Sequence, residues 1–267
     1  MTFRLESWSR QKLSAGFAVA LSLCALAPSH AEEADTLSAE TLVARAHAAA
    51  GGEIWLRPET LSLTGVGTFW GPGGTVTVAD DYSMWRVFNA ERKVAHGPSG
   101  LVRIDSKIGD RFMFQVSFDG ENTWTDKGLV PPEQAKTFWS NAFGFGVIRH
   151  ALDDGFSVSL KPEDQIRDVP SHMVLVTDPS GGETLFGIAK DDYRILMVGF
   201  DTPKGWHVRH YSDFEALDNG WVQPGRVTLY YNSVKSNEIV WTGTEVNAPL
   251  PVSHFILNAS NTKGDQE

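Results

Sequence analysis

Residues 183–232 read ETLFGIAKDDYRILMVGFDTPKGWHVRHYSDFEALDNGWVQPGRVTLYYN. Runs rich in β-branched and aromatic residues are cut there by KDDY (190–193), TPKG (202–205) and LDNG (217–220). The runs fit a pleated, half-buried surface, and the breaks hold the residues that favour turns. Strands joined by so few residues pair antiparallel, because a parallel pair needs a crossover of about a dozen residues. The same punctuation extends both ways, with PSGG (179–182) and SVKSN (233–237) as further breaks. Strands are expected over 156–161, 172–178, 183–188, 194–201, 206–215, 221–232 and 238–246. This half of the chain is one sheet built hairpin by hairpin.

Working upstream, Phe112, Phe114, Val116 and Phe118 alternate with polar residues, so they share one face of a strand, and Asp119-Gly120 marks a hairpin turn. Leu61, Leu63 and Phe69 also alternate, and Gly65 and Gly67 between them point to strong curvature or a bulge. Two segments depart from period two. Leu42, Ala46 and Ala49 recur at helical spacing; Ser38 or Asp35 can cap the start, and Gly51-Gly52 stops the helix. From Pro132 to Leu152 the spacing of Phe138, Ala142, Phe145 and Leu152 is again helical, interrupted by Gly144 and Gly146. We expect two short helices with a soft joint, lying across a sheet face as a lid or plug. The fold expected is mainly β: a single strongly curved antiparallel sheet, an incomplete barrel, with an N-terminal helix and this inserted helical segment.

The chain start carries an address. Arg4, Arg10 and Lys12 precede an apolar stretch from Leu13 to Ala27, followed by Ser29-His30-Ala31. That is the three-part pattern of a secretory signal peptide, expected to be cleaved after Ala31. A spanning helix needs about 20 apolar residues, so stable membrane insertion is not expected. The sole cysteine is Cys24, preceded by Leu23 rather than the small residue usual in lipoprotein signals, so a lipid anchor there is the lesser alternative. The expected organisation is a signal peptide over 1–31, one domain over 32–257 and a polar tail over 258–267. The expected place is the periplasm.

Composition narrows the function. Of the 267 residues, 42% are hydrophobic and 21% charged, the profile of a folded chain. Lys+Arg total 23 against 33 Asp+Glu, a formal charge of -10, poorly suited to a phosphate backbone; no nucleic-acid partner is expected. His207 and His210 stand three apart in a strand, on opposite faces, and cannot readily ligate one metal. The doublets Asp80-Asp81, Asp153-Asp154 and Asp191-Asp192 are read as turn residues. Ser99, in HGPSG, lacks a nucleophile elbow, and the chain has neither a P-loop nor a dinucleotide fingerprint. No catalytic residue, metal or cofactor is expected.

What the sequence does offer is aromatic surface. Apart from Trp8, Phe3 and Phe17, all of its nine Trp and 15 Phe lie beyond Ala31. A curved sheet whose concave face is incompletely filled by its helical cover leaves an apolar pocket. The candidate ligand-binding residues from the sheet are Phe69, Trp85, Phe112, Phe114 and Met197. Those from the helical segment are Phe138, Trp139, Phe143 and Phe145, with Gly144 and Gly146 as hinges.

In layout the sequence resembles the LolA/LolB-like lipoprotein-carrier superfamily, and within it the outer-membrane-lipoprotein-sorting-like periplasmic proteins. The resemblance rests on the short first helix ending in Gly51-Gly52, on Trp55, and on the first strand from Leu61 to Trp70. It extends through FDGENTW (118–124), FGFGVIRH (143–150), the long meander and NAPLPVSHF (247–255). It implies a half-barrel with helices in its hollow, and a non-enzymatic carrier of lipid or acylated protein cargo. The alternative it carries is an envelope sensor or docking module that engages an envelope membrane protein; an exported hydrolase is the least favoured reading of the sequence.

Overall fold

The computed structural model describes residues 37–140 and 145–257. The signal peptide, Phe143, Gly144 and the polar tail lie outside the described residues, as does the side chain of Phe145.

Two helices open the described chain, α1 (Ala39–Ala50) and α2 (Glu53–Leu56). Ser38 caps α1, its Oγ accepting from Thr41 N at 3.1 Å. Gly51 ends it at φ +129°, and a Cβ there would lie 2.7 Å from the Gly220 carbonyl oxygen. Only glycine lets the helix end approach that turn so closely.

The strands follow. They are β1 (Thr60–Trp70), β2 (Val76–Val87), β3 (Leu101–Ile108), β4 (Arg111–Phe118), β5 (Thr123–Thr125) and β6 (Gly128–Leu129). After α3 (Pro132–Ser140) and a 3-10 segment, Phe145–His150, come β7 (Ser157–Ile166), β8 (Val169–Thr177), β9 (Glu183–Ala189) and β10 (Ile195–Thr202). The last three are β11 (Gly205–Ala216), β12 (Val222–Tyr231) and β13 (Val234–Val246), before a 3-10 turn at Val252–Phe255.

All 13 form one sheet in the order 6-5-4-3-2-1-13-12-11-10-9-8-7, antiparallel throughout. The meander expected from the turns is present, and β1 joins its two arms by pairing with both β2 and β13. The sheet stays open, with β6 and β7 as its edges. It is also curled. Helix α1 touches both β7 and β12. Strands five places apart would sit about 24 Å apart in a flat sheet, about twice the helix diameter.

This topology explains where the helical insert goes. The chain leaves one edge of the sheet at β6 and must reach the other at β7, so α3 and the 3-10 segment bridge the open side. Pairing register defines an inner face toward these helices. Leu61, Leu63, Phe186, Val198 and Phe200 pack there with Leu42, Val43 and Ala46 of α1, Trp55 of α2, and Val147 and Ile148. His47 Nε2–H donates to the Ile148 carbonyl at 2.7 Å, tying α1 to the insert. Among the described residues, no helix is long and apolar enough to cross a membrane.

One aspartate pair departs from expectation. Asp80 and Asp81 lie inside β2, not in a turn, where the register against β1 shifts between Gly65 and Gly67. The bulge accommodates them, and Asp81 pairs with Lys107 at 2.9 Å.

Candidate functional site

The inner face has two ends of different character. At one end the helices fill the hollow, burying Phe186, Ile148, Val147 and Val43 completely. At the other, Phe69 of β1, Tyr82 of β2, Phe114 of β4 and Trp241 of β13 form an aromatic group that is only partly buried. Phe69, Tyr82 and Phe114 have ring centroids 6.0 to 6.3 Å apart, and Trp241 is 5.6 Å from Tyr82. These spacings suit edge and tilted aromatic contacts. Trp241 borders the helix-packed core, whereas the other three lie outside it.

Local backbone builds this group. Gly65 pairs with both Tyr82 and Trp241, so the three positions share the inner face. A Cβ on Gly65 would lie 2.2 Å from the Val240 carbonyl oxygen. A Cβ on Gly67 would meet the rings of Phe69 and Tyr82 at 2.9 and 3.1 Å. The glycines thus bring strands and rings together where any other residue would hold them apart.

The remaining expected site residues are distributed differently. Ser106 pairs with Phe114 but Lys107 pairs with Phe112, so a bulge puts Phe112 on the outer face, away from the hollow. Phe112 is 45% exposed, with Lys107 Nζ 5.2 Å from its ring centroid. Trp85 lies between the inward Met84 and Arg86, and its ring meets His254 at 4.6 Å under the C-terminal 3-10 turn. Met197 pairs with Gly187 across another register shift and packs outside with Met173, Ile166 and Leu196. These three residues do not face the hollow.

In the insert, Trp139 is 1% exposed, and its Nε1–H donates to Thr123 Oγ1 at 2.8 Å. It packs with Val102 and Val116 as part of a plug. Phe138 is 41% exposed, with its ring 4.8 Å from that of Trp139. Gly146 is buried in the 3-10 segment, where a Cβ would come within 2.8 Å of Arg92 Nη1.

Sequence reading missed the polar centre of the hollow. Arg86, Arg92 and Arg149 are only 8, 7 and 7% exposed. Arg149 Nε donates to the Trp55 carbonyl at 2.6 Å, and its guanidinium lies 4.1 Å from the Trp55 ring and 5.2 Å from that of Phe88. Arg86 covers the same Phe88 ring at 4.6 Å. Arg92 Nε donates to the Val94 carbonyl at 3.0 Å, and its Nη2 to the Ala95 carbonyl.

Burial, with the fields of Arg92, Arg149 and Arg209, pushes Arg86 well below the ordinary guanidinium range. Burial and Arg92 push Arg149 down to about 9. Burial pushes Arg92 down to about 10 against the opposing field of Asp178. A guanidinium keeps its proton in proteins, so these shifts register the cost of gathering cations in a low-dielectric interior. One signal was legible: Arg86 occupies an inward position of the strand pattern, two residues from Met84 and two from Phe88.

Arg92 belongs to the long β2–β3 loop, which crosses the hollow. Ala95 N donates to Asp178 Oδ2 at 2.6 Å, and His96 shares a 2.9 Å hydrogen bond with Thr184 Oγ1. His96 stacks on Phe200, which stacks on His207, at 4.4 and 4.5 Å. Burial raises the Asp178 carboxyl, but hydrogen bonds from Ser180, Ala95 and Gly182 outweigh it and hold the group below its usual value. Beside this loop opens a cleft of about 540 Å³ whose walls include Phe88, Arg92, Lys93, Leu101 and Phe118.

His207 and His210 do lie on opposite faces, paired with Phe200 and Met197. Among the described residues, no three His, Cys, Asp or Glu gather in a way that could hold a metal.

Comparison with known proteins bears on the fold. The sequence matches no protein-family model and no curated protein. Solved structures do match. A LolA superfamily protein from Nitrosomonas europaea aligns at TM-score 0.53 and 11% identity, over 82% of this chain and 98% of its own. An outer membrane lipoprotein-sorting protein domain from Vibrio parahaemolyticus aligns at 0.52 and 14%, over 81% and 97%. A DUF1329 family protein from Desulfovibrio piger aligns at 0.50 and 12%, over 83% and 98%. At such low identity it is the path of the backbone that is shared: this chain has the fold of the LolA superfamily.

Proposed function

We propose that the chain is an exported, non-enzymatic binding protein of the periplasm, carrying a lipid or the acyl chains of a lipoprotein against the aromatic end of its inner face. The observation that carries this reading is the group Phe69, Tyr82, Phe114 and Trp241, inward-facing and partly buried beyond the helical plug. Aromatic surface on a concave wall is what an acyl chain needs, since burying each methylene is worth about 0.8 kcal/mol without polar chemistry. The similarity to a lipoprotein-sorting domain supports the same reading.

Native mass spectrometry of the chain released from periplasm, with displacement of an apolar fluorescent dye by fatty acid, tests it. The expected result is one saturable dye site emptied by the fatty acid, with co-purified lipid in the spectrum. Dye that binds only on partial unfolding would mean that the rings merely fill a core. A lipid-free chain that retains a membrane protein would point to docking instead.

A further inference from the structure

The buried arginines ask for a function of their own. Three guanidiniums, each more than nine-tenths buried, converge on one small region. Arg86 and Arg149 cover the same Phe88 ring. The Nη1 atoms of Arg92 and Arg149 both come against Gly146, 2.8 and 3.4 Å from where a Cβ would stand. Hydrogen bonds to the Trp55, Val94 and Ala95 carbonyls fix the two outer guanidiniums in this orientation. Phe88 and Arg92 also line the cleft, together with Lys93, Leu101 and Phe118, so the Arg92 side of the region opens onto it.

Like charges held together in a low-dielectric interior repel strongly, and an oxyanion between them reverses the sign of that interaction. Planar guanidinium forks match phosphate oxygens, and a phosphate, with more oxygens and more charge than a carboxylate, can give each of several forks its own pair of acceptors. Asp178, buried behind Ala95, offsets part of the charge of Arg92, and Glu91 stands exposed on the cleft wall.

We infer that Arg86, Arg92 and Arg149 form a phosphate-binding subsite at the base of the hollow, reached through the Phe88–Phe118 cleft. The phosphate comes from the head group of an amphiphile or from free phosphate. The lipid source rests on the carrier reading above, while the phosphate chemistry does not. With a lipid as ligand, the head group engages the guanidiniums and the acyl chains take the apolar surface of cleft and hollow.

Binding of dioctanoyl phosphatidic acid, dioctanoylglycerol and inorganic phosphate to the full chain, at matched ionic strength, separates the cases. The expected result is that phosphatidic acid binds roughly tenfold or more tightly than the uncharged diacylglycerol, and that inorganic phosphate competes with it. Arg92→Gln should bring the two lipids to within about threefold of each other. Gly146→Ala keeps all three arginines and sets a methyl group between two of them. It should weaken phosphatidic acid while leaving diacylglycerol unchanged, and it answers the question if Arg92→Gln does not fold. Equal binding of both lipids, insensitive to both variants, would overturn the phosphate site and leave the carrier standing. Inorganic phosphate that binds and is lost in the folded variant, with neither lipid bound, would uphold the site and remove the carrier. A chain that responds to none of the three ligands removes both.

Discussion

The two ends of the inner face start from the same material, apolar and aromatic residues alternating along antiparallel strands, and finish differently. Where α1, α2 and the 3-10 segment reach the sheet, Phe186, Val198 and Ile148 are completely buried and histidines are drawn into the packing. Where they do not reach, Phe69, Tyr82, Phe114 and Trp241 pack on one another and stay partly open. The sheet is common to both ends, so the helices decide which part is core and which stays open. Stability should therefore be concentrated at the plugged end and binding at the aromatic end.

The largest expected effect tests the plugged end. Phe186→Ala at that end, and Trp139→Ala in the separate cluster under α3, each remove a fully buried aromatic side chain and should cost about 3–5 kcal/mol in chemical denaturation. Phe114→Ala, starting from a partly buried ring, should cost less than about 2 kcal/mol. If Phe114→Ala costs as much as Phe186→Ala, the two ends are alike and the contrast fails.

Binding should show the reverse order. Trp241→Ala removes contact area from the aromatic wall and should weaken acyl-chain affinity by about tenfold, some 1.4 kcal/mol. Trp85→Ala, against the C-terminal turn on the outer face, should leave that affinity unchanged. Dye titration of folded variants measures both. Equal losses would mean that inner and outer faces are misassigned.

A pH series sharpens the comparison further. Burial lowers the His47 proton affinity despite its bond to the Ile148 carbonyl, and lowers that of His96 despite the field of Asp178. The unfolded chain then binds protons more readily than the folded one. The stability these residues contribute is present above their ordinary value of 6.5 and is lost as pH falls below it. Denaturation midpoints should drop between about pH 7 and about pH 5, and His47→Gln should flatten that slope. A steeper slope in the variant would contradict the assignment.

Smallest of all should be Phe112→Ser. The ring is exposed on the outer face, so both stability (within about 0.5 kcal/mol) and dye affinity should stay near those of the parent chain. A clear loss of binding would return Phe112 to the hollow.

Much of the architecture was legible along the chain. The breaks at KDDY, TPKG and LDNG announced antiparallel hairpins, Ser38 and Gly51 bounded the first helix, and Gly65 with Gly67 announced the bulge where β1 meets β2. Hydrogen-bond geometry and backbone freedom act over a few residues, and a few residues are enough to read them. The inner face was less legible. Phe69 and Phe114 do point inward, but period two carries a residue to the expected face only while the register holds, and one extra residue reverses it. The shift at Ser106/Lys107 turned Phe112 outward, and the one at Ile195/Met197 left Met197 paired outside the hollow. Trp85 was taken by an aromatic count that ignored its position between Met84 and Arg86.

The sequence by itself determined an antiparallel meander with a helical insert, because turns and alternation are local. The tertiary structure alone decided that Arg86 of β2, Arg92 of the loop and Arg149 of the insert share one buried region. They stand on segments that meet only after the sheet curls and the chain crosses from one of its edges to the other. Convergence of that kind depends on distance in space, which no spacing along the chain records.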